Sequence, residues 1–492
     1  MKISEITKSL ENIISGDIFW DKDTLRYYSV DASSYQIIPK VVIVPKSEKD
    51  VINIVKIAKK YKISVTARGA GTGLVGNSLN TGIILDLKFF DLIKIENNYV
   101  TVGSGTTKGK LDQTLKKIGK FFPPNPSIGP YCCIGGMIGN NSSGSKSLKY
   151  GSVIDNIEKI TFIDGNGQKT TLPKNKKIGA KIFKLTKKLE LEKFPKVTKN
   201  SSGYRLDSIN SIKDTHKAIV GSEGTLGIIL SAKLRIKDIP KKRVLFVIEY
   251  SSENTAAQNC AEILTTLPSA VEFLDKTIMK HINYKFNRKT NCLLFVEYDS
   301  EMENIQKRLK KTATGNIAKI IKNDSEIQRW WKFRDSSLYY GLKSIKNKTP
   351  HVIEDATVPV KYLPELFSII DKINQKFHTK SVTYGHAGNG NIHLRLISKG
   401  KKIKIKEIAE EYFDKVIKLG GTITGEHGDG LARSEYVKKQ YGQVNYRIFK
   451  ELKSQFDPEN ILNPGKIISH KSTIIKNLKL WAFEETTVII VI

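Results

Sequence analysis

Two histidines flank a turn signal in the last third of the chain. His386 and His393 enclose Asn389-Gly390, and an Asn-Gly pair is the strongest short-range signal for a β-hairpin. A two-residue turn centred there pairs 386 with 393 and places both imidazoles on one face, with Cβ atoms about 5 Å apart. Two imidazoles so placed can share a divalent ion. The alternative is that both are ordinary polar residues of a hairpin.

Glu426 lies in a further glycine-rich stretch, residues 420–430, and is the candidate third ligand. One carboxylate beside two imidazoles leaves coordination positions open for a substrate, as a catalytic metal site requires. The predicted metal ligands are therefore His386, His393 and Glu426. Zinc is the first choice, and manganese or iron remain alternatives because ligand type alone does not decide among them.

A glycine-rich loop near the start of the chain, Gly71-Thr72-Gly73-Leu74-Val75-Gly76, matches the dinucleotide pattern GxGxxG. A Rossmann loop must open a helix, whereas residues 77–82 are turn-rich and lead into a strand. The backbone amides of such a loop can still form a nest that binds a pyrophosphate, with Arg68 beside it. A tight turn between strands is the alternative.

A second small-residue region contains Gly135, Gly136, Gly139 and Gly144 around the polar run 140–143. Small residues allow a planar ring to lie against the main chain, and amide and hydroxyl groups can hydrogen-bond to its polar edge. The region predicts a flat or charged ligand.

The elements that hold these loops follow from hydrophobic patterning. Ser47 can cap a helix between the extended runs 37–44 and 63–67, so that strand, helix and strand lead into the first loop. From Val244 onward, strands alternate with helical stretches, as in an α+β domain.

The 492 residues suggest two to four domains, and 39% hydrophobic residues indicate a globular chain. No apolar run approaches the ~18 residues of a membrane span, and charges interrupt the first 20 residues where a secretory signal would need an apolar stretch. The four cysteines form neither a disulfide framework nor a CxxC motif. These features predict a cytoplasmic protein.

The net charge of +32 raises nucleic acid or an anionic membrane surface as partners. The basic residues are mostly lysines spread along the chain, whereas phosphate-reading proteins usually cluster arginine. We therefore predict no nucleic-acid partner. Peripheral contact with the inner face of a membrane stays open.

Ordered motifs run along most of the chain. In the first half these are Val44-Pro45-Lys46-Ser47, Arg68-Gly69-Ala70-Gly71-Thr72, Ile134-Gly135-Gly136-Met137, Lys149-Tyr150-Gly151, Ser202-Gly203-Tyr204 and Gly221-Ser222-Glu223-Gly224-Thr225-Leu226-Gly227. They resemble the FAD domain of the vanillyl-alcohol oxidase and p-cresol methylhydroxylase (PCMH) superfamily. The segments 386–393, 425–430 and 456–458 resemble the C-terminal domain of D-lactate, glycolate and D-2-hydroxyglutarate dehydrogenases in that superfamily.

The resemblance implies an α+β protein in which a PCMH-type FAD-binding domain of two α+β subdomains precedes an FAD-linked oxidase C-terminal α+β cap domain. The predicted boundaries are an N-terminal helical segment at 1–35, the FAD-binding domain at 36–239, the substrate- and metal-binding domain at 240–468, and a tail at 469–492.

The resemblance also implies which residues bind FAD. They are Arg68, Gly69, Ala70, Gly71, Thr72, Gly73 and Gly76 for the pyrophosphate, Gly135, Gly136, Gly139, Ser143, Gly144 and Gly151 along the flavin, Glu223, Gly227 and Ile228 nearby, and Asn463 closing over it. Covalent members carry a histidine in the first loop, where this chain has Ala70 and Thr72, so non-covalent FAD is expected.

Three further residues take roles in this interpretation. His427 is the candidate general base, because imidazole titrates in the useful range; its alternatives are a fourth metal ligand and a loop-stabilising group. Arg334 matches the arginine that related dehydrogenases use for the substrate carboxylate, and an ion pair with a nearby acid on the surface of a helix is the equal alternative. Arg433 is a second candidate cation.

The resemblance therefore predicts an FAD-dependent dehydrogenase that oxidises a D-2-hydroxy acid, D-lactate or glycolate first, to the 2-oxo acid with hydride transfer to the flavin. The expected electron acceptor is a cytochrome, a quinone or a separate iron-sulfur subunit. A D-2-hydroxyglutarate dehydrogenase or an oxygen-using oxidase of the same fold is the nearest alternative. A basic protein that binds nucleic acid or a membrane surface without redox activity is the alternative of a different class.

Overall fold

The computed structural model describes residues 3–300, 304–337, 339, 349–398, 403–469 and 471–479. Helices and sheets are mixed throughout, which confirms the predicted α+β class. Much of the predicted tail at 469–492 lies outside the described residues. No helix in the described ranges combines the length and the hydropathy that a membrane crossing needs.

The α-helices span Ile3–Glu11, Lys22–Tyr28, Glu48–Tyr61, Lys108–Lys116, Ile134–Gly139, Ser147–Tyr150, Lys176–Thr186, Glu253–Leu264, Lys276–Met279, Ile305–Thr312, Asp324–Asp335, Leu363–Lys376, Ile405–Lys418, Gly430–Arg433 and Val437–Phe456. The helix Glu48–Tyr61 begins as its sequence predicts, because Ser47 and Asp50 form a reciprocal capping box.

The first sheet contains β1 (Asp17–Phe19), β2 (Val41–Val44), β3 (Val65–Arg68) and β4 (Ile83–Asp86). Its order is β1-β2-β4-β3, with β4 parallel to both β2 and β3 and with β1 antiparallel to β2. The N-terminal segment thus contributes an edge strand as well as helices. The parallel strands are buried, and β3 delivers the chain into the first glycine-rich loop.

The second sheet is antiparallel, in the order β5-β6-β10-β8-β9. Its strands are β5 (Ile93–Glu96), β6 (Tyr99–Gly103), β8 (Ile157–Ile163), β9 (Lys169–Leu172) and β10 (Ile228–Arg235), and β7 (Lys120–Phe121) pairs with β11 (Lys237–Asp238) beside it.

The C-terminal helix Val437–Phe456 packs into the core of this second sheet, far along the chain from its strands. The turn that follows reaches the first sheet, where the Val65 N–H donates to the Ile461 carbonyl and the Asn463 N–H donates to the Val65 carbonyl, both at 2.8 Å. The segment 437–463 therefore returns to complete the first half of the molecule.

The third sheet is fully antiparallel, in the order β15-β12-β14-β13-β16-β17. Its strands are β12 (Val244–Tyr250), β13 (Ala270–Asp275), β14 (Cys292–Tyr298), β15 (Asn316–Ile321), β16 (Thr379–His386) and β17 (Asn391–Ser398).

Alternation along these strands separates two faces. On one face, residues such as Phe246, Phe273 and Leu394 pack against helices in the larger apolar cluster. On the other face, a smaller apolar cluster around Trp330 shares the surface with buried polar side chains. That polar row comprises Glu272, Tyr384, His386, His393 and Arg395.

Candidate active site

The first glycine-rich loop presents unbonded backbone donors. Within the described residues, the N–H groups of residues 71–76 donate no hydrogen bond, although the carbonyls of Gly71 and Val75 accept bonds from Ala32 and Leu431. Groups of free amides in such a loop form an anion-binding concavity.

Two glycines of the second region border open space. A Cβ on Gly136 would meet no protein atom within 4 Å, and one on Gly139 would meet only the Glu223 Cα at 3.9 Å. The neighbouring Gly135 is different, because a Cβ there would lie 2.7 Å from the Ser104 Cβ. Gly136 therefore borders an open space that a ligand could fill, whereas Gly135 allows the close packing of the helix against Ser104.

Most other predicted cofactor-binding glycines face protein atoms. The pairs are Gly69 with Cys133, Gly71 with Arg68, Gly73 with Asn77, Gly76 with Leu431, Gly144 with Asn125, Gly151 with Asp155 and Gly227 with Phe162. Arg68 donates to the Val30 carbonyl at 2.8 Å and lies over the Tyr28 ring, so it fixes the N-terminal segment to the loop. Ile228 begins β10, with its side chain buried in the core of the first sheet.

The glycine-rich segments converge. The N–H groups of Gly221 and Glu223 donate to the carbonyls of Ile138 and Gly139, both at 2.9 Å. The Asn463 Nδ2 donates to the Asn77 carbonyl at 2.8 Å and to the Glu223 carbonyl at 2.7 Å. Free amides, an open space beside Gly136 and this convergence fit the requirements of a bound FAD.

The histidine hairpin differs from its predicted register. His386 pairs with Asn391, and His393 pairs with Tyr384, so the predicted direct pairing of 386 with 393 is wrong. The connection is a four-residue loop, 387–390, in which Gly390 closes a 3-10 turn with φ of 73°. A shift of two residues preserves the face of the strand. The rings of His386 and His393 therefore remain neighbours, with centroids 5.4 Å apart.

Three imidazoles surround one carboxylate oxygen. The Oε1 of Glu426 lies 2.9 Å from the Nε2 of His386, 3.4 Å from the Nε2 of His393 and 3.8 Å from the Nε2 of His427. The structure thus brings together the three predicted ligands and the predicted base.

Each of these imidazoles directs its other nitrogen toward a carboxylate. The Nδ1 of His386 lies 2.8 Å from Glu272, that of His427 lies 2.6 Å from Glu354, and that of His393 has its nearest carboxylate oxygen on Asp355, at 3.5 Å. Carboxylates in this position orient metal-binding histidines and select the tautomer with a free Nε2. The donor set fits a divalent ion.

A second grouping of donors shares His393 and Glu426 with the first. Asp355, His393, Glu426 and His427 each offer one ligand atom within 4.8 Å of the others. However, the Oδ2 of Asp355 already accepts the N–H groups of residues 426 and 427, both at 2.9 Å. We therefore place Asp355 behind the ligands, as a group that shapes their loop.

Buried cations balance the carboxylates of this site. Burial alone would raise the pKa of Glu272, but Arg334 and His386 hold it below its usual value. Burial would also raise the pKa of Glu426, yet Lys199 and His386 hold it well below its usual value. Both carboxylates are therefore ionised and available to cations.

His427 differs from the other two histidines in exposure and charge. Its side chain is 18% exposed, against 3% for His386 and 4% for His393. Burial would lower its pKa, but the charges of Asp355 and Glu354 outweigh burial and raise the pKa to about 9.

The candidate substrate cations both have protein partners. Arg334 is buried and forms an ion pair with Glu272, while its Nη2 lies 3.1 Å from the His386 Nδ1. Arg433 donates to Glu354 at 2.9 Å and to the Gly428 carbonyl at 3.0 Å. Arg334 thus forms the ion pair that the sequence offers as its alternative role, but the pair is buried inside the protein and does not lie on a helix surface.

Sequence reasoning missed five charged residues of this site: Lys199, Glu272, Glu354, Asp355 and Arg395. One signal was available, because Glu354 and Asp355 are the only acidic residues in the stretch 349–360, which contains no Lys or Arg. No local pattern distinguishes the other three.

Comparisons with known proteins agree with this geometry. Residues 39–172 match the model of an FAD binding domain, and residues 239–467 match the C-terminal domain of FAD linked oxidases. The glycolate oxidase subunit GlcD of Bacillus subtilis is 29% identical, covering 95% of this chain and 98% of that protein. The mitochondrial D-lactate dehydrogenase [cytochrome] of Arabidopsis thaliana is 26% identical, covering 94% and 80%.

Two further matches bear on length and fold. The D-2-hydroxyglutarate dehydrogenase of Escherichia coli is 28% identical over 89% of this chain but only 49% of its own length. A solved alkyldihydroxyacetonephosphate synthase superposes with a TM-score of 0.66 at 17% identity, covering 94% of this chain and 86% of that one, and thus shares the fold. From the two matched domains and the near full-length relatives, the chain belongs to the FAD-linked oxidases with a PCMH-type FAD-binding domain.

Proposed function

We propose that this enzyme oxidises a D-2-hydroxy acid, D-lactate or glycolate first, to the corresponding 2-oxo acid. The observation that carries the proposal is the loop 426–430. One end of it holds Glu426 and His427 in the imidazole cluster, and the other end donates the N–H groups of Asp429 and Gly430 to the Glu223 carboxylate in a flavin-domain loop. A single short loop thus joins a candidate substrate site to a candidate flavin site.

In this proposal the free amides of residues 71–76 bind the pyrophosphate of a non-covalent FAD, and its ring lies in the space beside Gly136 and Gly139. His386, His393 and Glu426 would hold a divalent ion, for which zinc is the first candidate. Bound FAD supplies a two-electron acceptor, and a bound divalent ion supplies a Lewis acid for the substrate oxygens.

His427 accepts the proton of the substrate hydroxyl at Nε2 in those molecules in which its imidazole is neutral, a fraction that grows as the pH rises toward its pKa of about 9. Glu354 holds the Nδ1 proton at 2.6 Å, which fixes the tautomer and stabilises the imidazolium that forms. Arg334 contributes a buried positive charge beside His386, where a substrate carboxylate would bind. These roles divide the site into groups that hold the substrate and one group that moves its proton.

The names of the relatives favour the substrate order. The chain aligns with 98% of a glycolate oxidase subunit and 80% of a D-lactate dehydrogenase, but with 49% of a D-2-hydroxyglutarate dehydrogenase. D-2-hydroxyglutarate is therefore the second candidate substrate. The proposed electron acceptor is a cytochrome, a quinone or a separate iron-sulfur subunit, reached from the cytoplasm or at the inner face of the membrane.

The test is anaerobic bleaching of the flavin absorbance by a panel of D- and L-2-hydroxy acids. D-lactate or glycolate should bleach the flavin fastest, and L-lactate should not bleach it. Failure of every hydroxy acid to bleach a flavin-loaded, metal-loaded protein would refute the proposal. Rapid reoxidation by oxygen would instead identify an oxidase.

A further inference from the structure

Lys199 is fully buried and reaches the candidate metal site from the flavin half of the chain. Its Nζ lies 3.0 Å from the Oε2 of Glu426 and 3.3 Å from the Oδ1 of Asn391. A lysine without solvent contact is rare unless its charge is paired, so this contact determines where the side chain can lie.

The same carboxylate oxygen has a second donor. The hydroxyl of Ser143, a residue that the family resemblance places beside the flavin, donates to the Glu426 Oε2 at 2.7 Å. Lys199 and Ser143 therefore occupy one oxygen of Glu426, while its other oxygen, Oε1, faces the three imidazoles.

We propose that Lys199 and Ser143 are positioning residues that make Glu426 a one-oxygen metal ligand. The inference rests on the proposed metal site. Large oxygen-preferring ions often take both oxygens of a carboxylate, whereas zinc is satisfied by imidazole nitrogens and a single carboxylate oxygen. The two donors thus tune the site toward zinc and against manganese.

The competing interpretation is an ordinary buried ion pair with no effect on metal choice. The chain offers a matched example in Lys108, which is also buried and pairs with the Asp112 carboxylate at 2.5 Å, away from the imidazoles. Lys108→Met therefore controls for the loss of a buried, paired lysine.

The experiment uses the flavin-loaded protein after removal of its metal. Dissociation constants for Zn²⁺ and Mn²⁺ are measured by competition with a chelator for the wild type, Lys199→Met, Ser143→Ala and Lys108→Met. Loss of the lysine charge affects both divalent ions alike, so the ratio of the two constants isolates the freed oxygen. We expect Lys199→Met to reduce the preference for zinc by about 10-fold, at the lower end for outer-shell partners of ligands.

Ser143→Ala should shift the ratio in the same direction by a smaller factor, without any change of charge, and Lys108→Met should leave it unchanged. An unaltered ratio in Lys199→Met with normal flavin content overturns the inference. If Lys199→Met does not fold, the ratio in Ser143→Ala decides. The metal site itself would be refuted if the wild type bound no zinc, or if His386→Ala bound zinc as tightly as the wild type. That failure is distinguishable from an unaltered ratio in Lys199→Met.

Discussion

Two adjacent regions of the molecule are built in opposite ways. We call them the flavin loops, residues 71–76 and 134–144, and the histidine cluster, which is His386, His393 and His427 with the buried carboxylates and cations around them. The flavin loops are formed by backbone amides and by missing side chains, as the free N–H groups of 71–76 and the open space at Gly136 illustrate. The histidine cluster is formed by long side chains from separate elements, held together by buried ion pairs.

This difference determines what each region tolerates. A backbone-built site is damaged by adding atoms, because its space is the functional feature. A cluster of buried charges is damaged by removing atoms, because each deleted partner leaves an uncompensated charge. Substitutions that add to one region and subtract from the other therefore test the comparison.

The largest effect is expected from Gly136→Ala. Gly136 lies within the helix Ile134–Gly139, where alanine is favoured over glycine by about 1 kcal/mol. The flavin-free variant should therefore be at least as stable as the wild type, while flavin absorbance in the purified protein falls to a small fraction. Thermal unfolding and visible absorbance measure the two quantities.

Its matched control is Gly135→Ala, one residue away in the same helix. There the added Cβ would meet the Ser104 Cβ at 2.7 Å, so the fold and not the ligand space is affected. This variant should lower the unfolding temperature of the flavin-free protein. Full flavin occupancy in Gly136→Ala would show that the open space is not the flavin site.

The next effect compares two adjacent residues of the histidine cluster. His427→Ala should keep both metal and flavin but reduce the flavin at least ~100-fold more slowly with substrate, the usual scale for one acid-base group. Glu426→Ala should lose the metal, because its Oε1 is the oxygen that the imidazoles share. Metal analysis and stopped-flow absorbance distinguish them, and equal metal loss would make His427 a ligand.

The same contrast explains how much the sequence predicts. The flavin loops are local, so their glycines, the capped helix after Ser47 and the strand order leading to Arg68 can be predicted from consecutive residues. The division between Gly135 and Gly136 could not be predicted, because it depends on Ser104, a residue some 30 positions earlier.

The histidine cluster is predicted less completely, because its partners are distant in the chain. The Asn-Gly turn identifies His386 and His393 as a pair, and the difference between the predicted and the observed register leaves both on one face because the shift is two residues. Glu272 reaches His386 from β13, more than 100 positions earlier, and Lys199 comes from the other domain. No periodicity encodes such contacts.

A stability effect follows from the ion pairs of the histidine cluster. Glu272→Gln leaves Arg334 buried without its carboxylate, and this should lower the free energy of unfolding by about 3–5 kcal/mol. The control is Glu407→Gln. Glu407 pairs with Lys404 at the surface, where the two side chains are 57% and 65% exposed, so this substitution should change the free energy of unfolding by less than about 1 kcal/mol. Urea denaturation of both variants measures this, and equal effects would mean that burial of the pair is irrelevant.

A second group of acids sharpens the comparison, because no cation lowers the pKa of its most strongly shifted member, Glu253. Glu253 lines a cleft in the cap together with Asp275 and Asp371. Burial, followed by the charges of Asp275 and Asp371, raises the pKa of Glu253 from 4.5 to about 7. The carboxylates of the histidine cluster shift in the opposite direction, because Lys199 and Arg334 face them.

The smallest effect is therefore a pH dependence that Glu253→Gln should remove. Since the folded pKa of Glu253 exceeds the unfolded value, the unfolded chain releases this proton first as pH rises, and stability is lost between about pH 4.5 and pH 7. Glutamine cannot ionise, so the free energy of unfolding of the variant should equal that of the wild type at pH 4 and exceed it by about 2 kcal/mol at pH 8. This value is smaller than the full pKa shift implies, because Glu253 is partly exposed to solvent. Urea denaturation at both pH values measures the difference. If the difference in unfolding free energy between the variant and the wild type did not change with pH, Glu253 would have the same pKa in the folded and the unfolded chain. Burial without a neighbouring cation would then not distinguish this cleft from the histidine cluster.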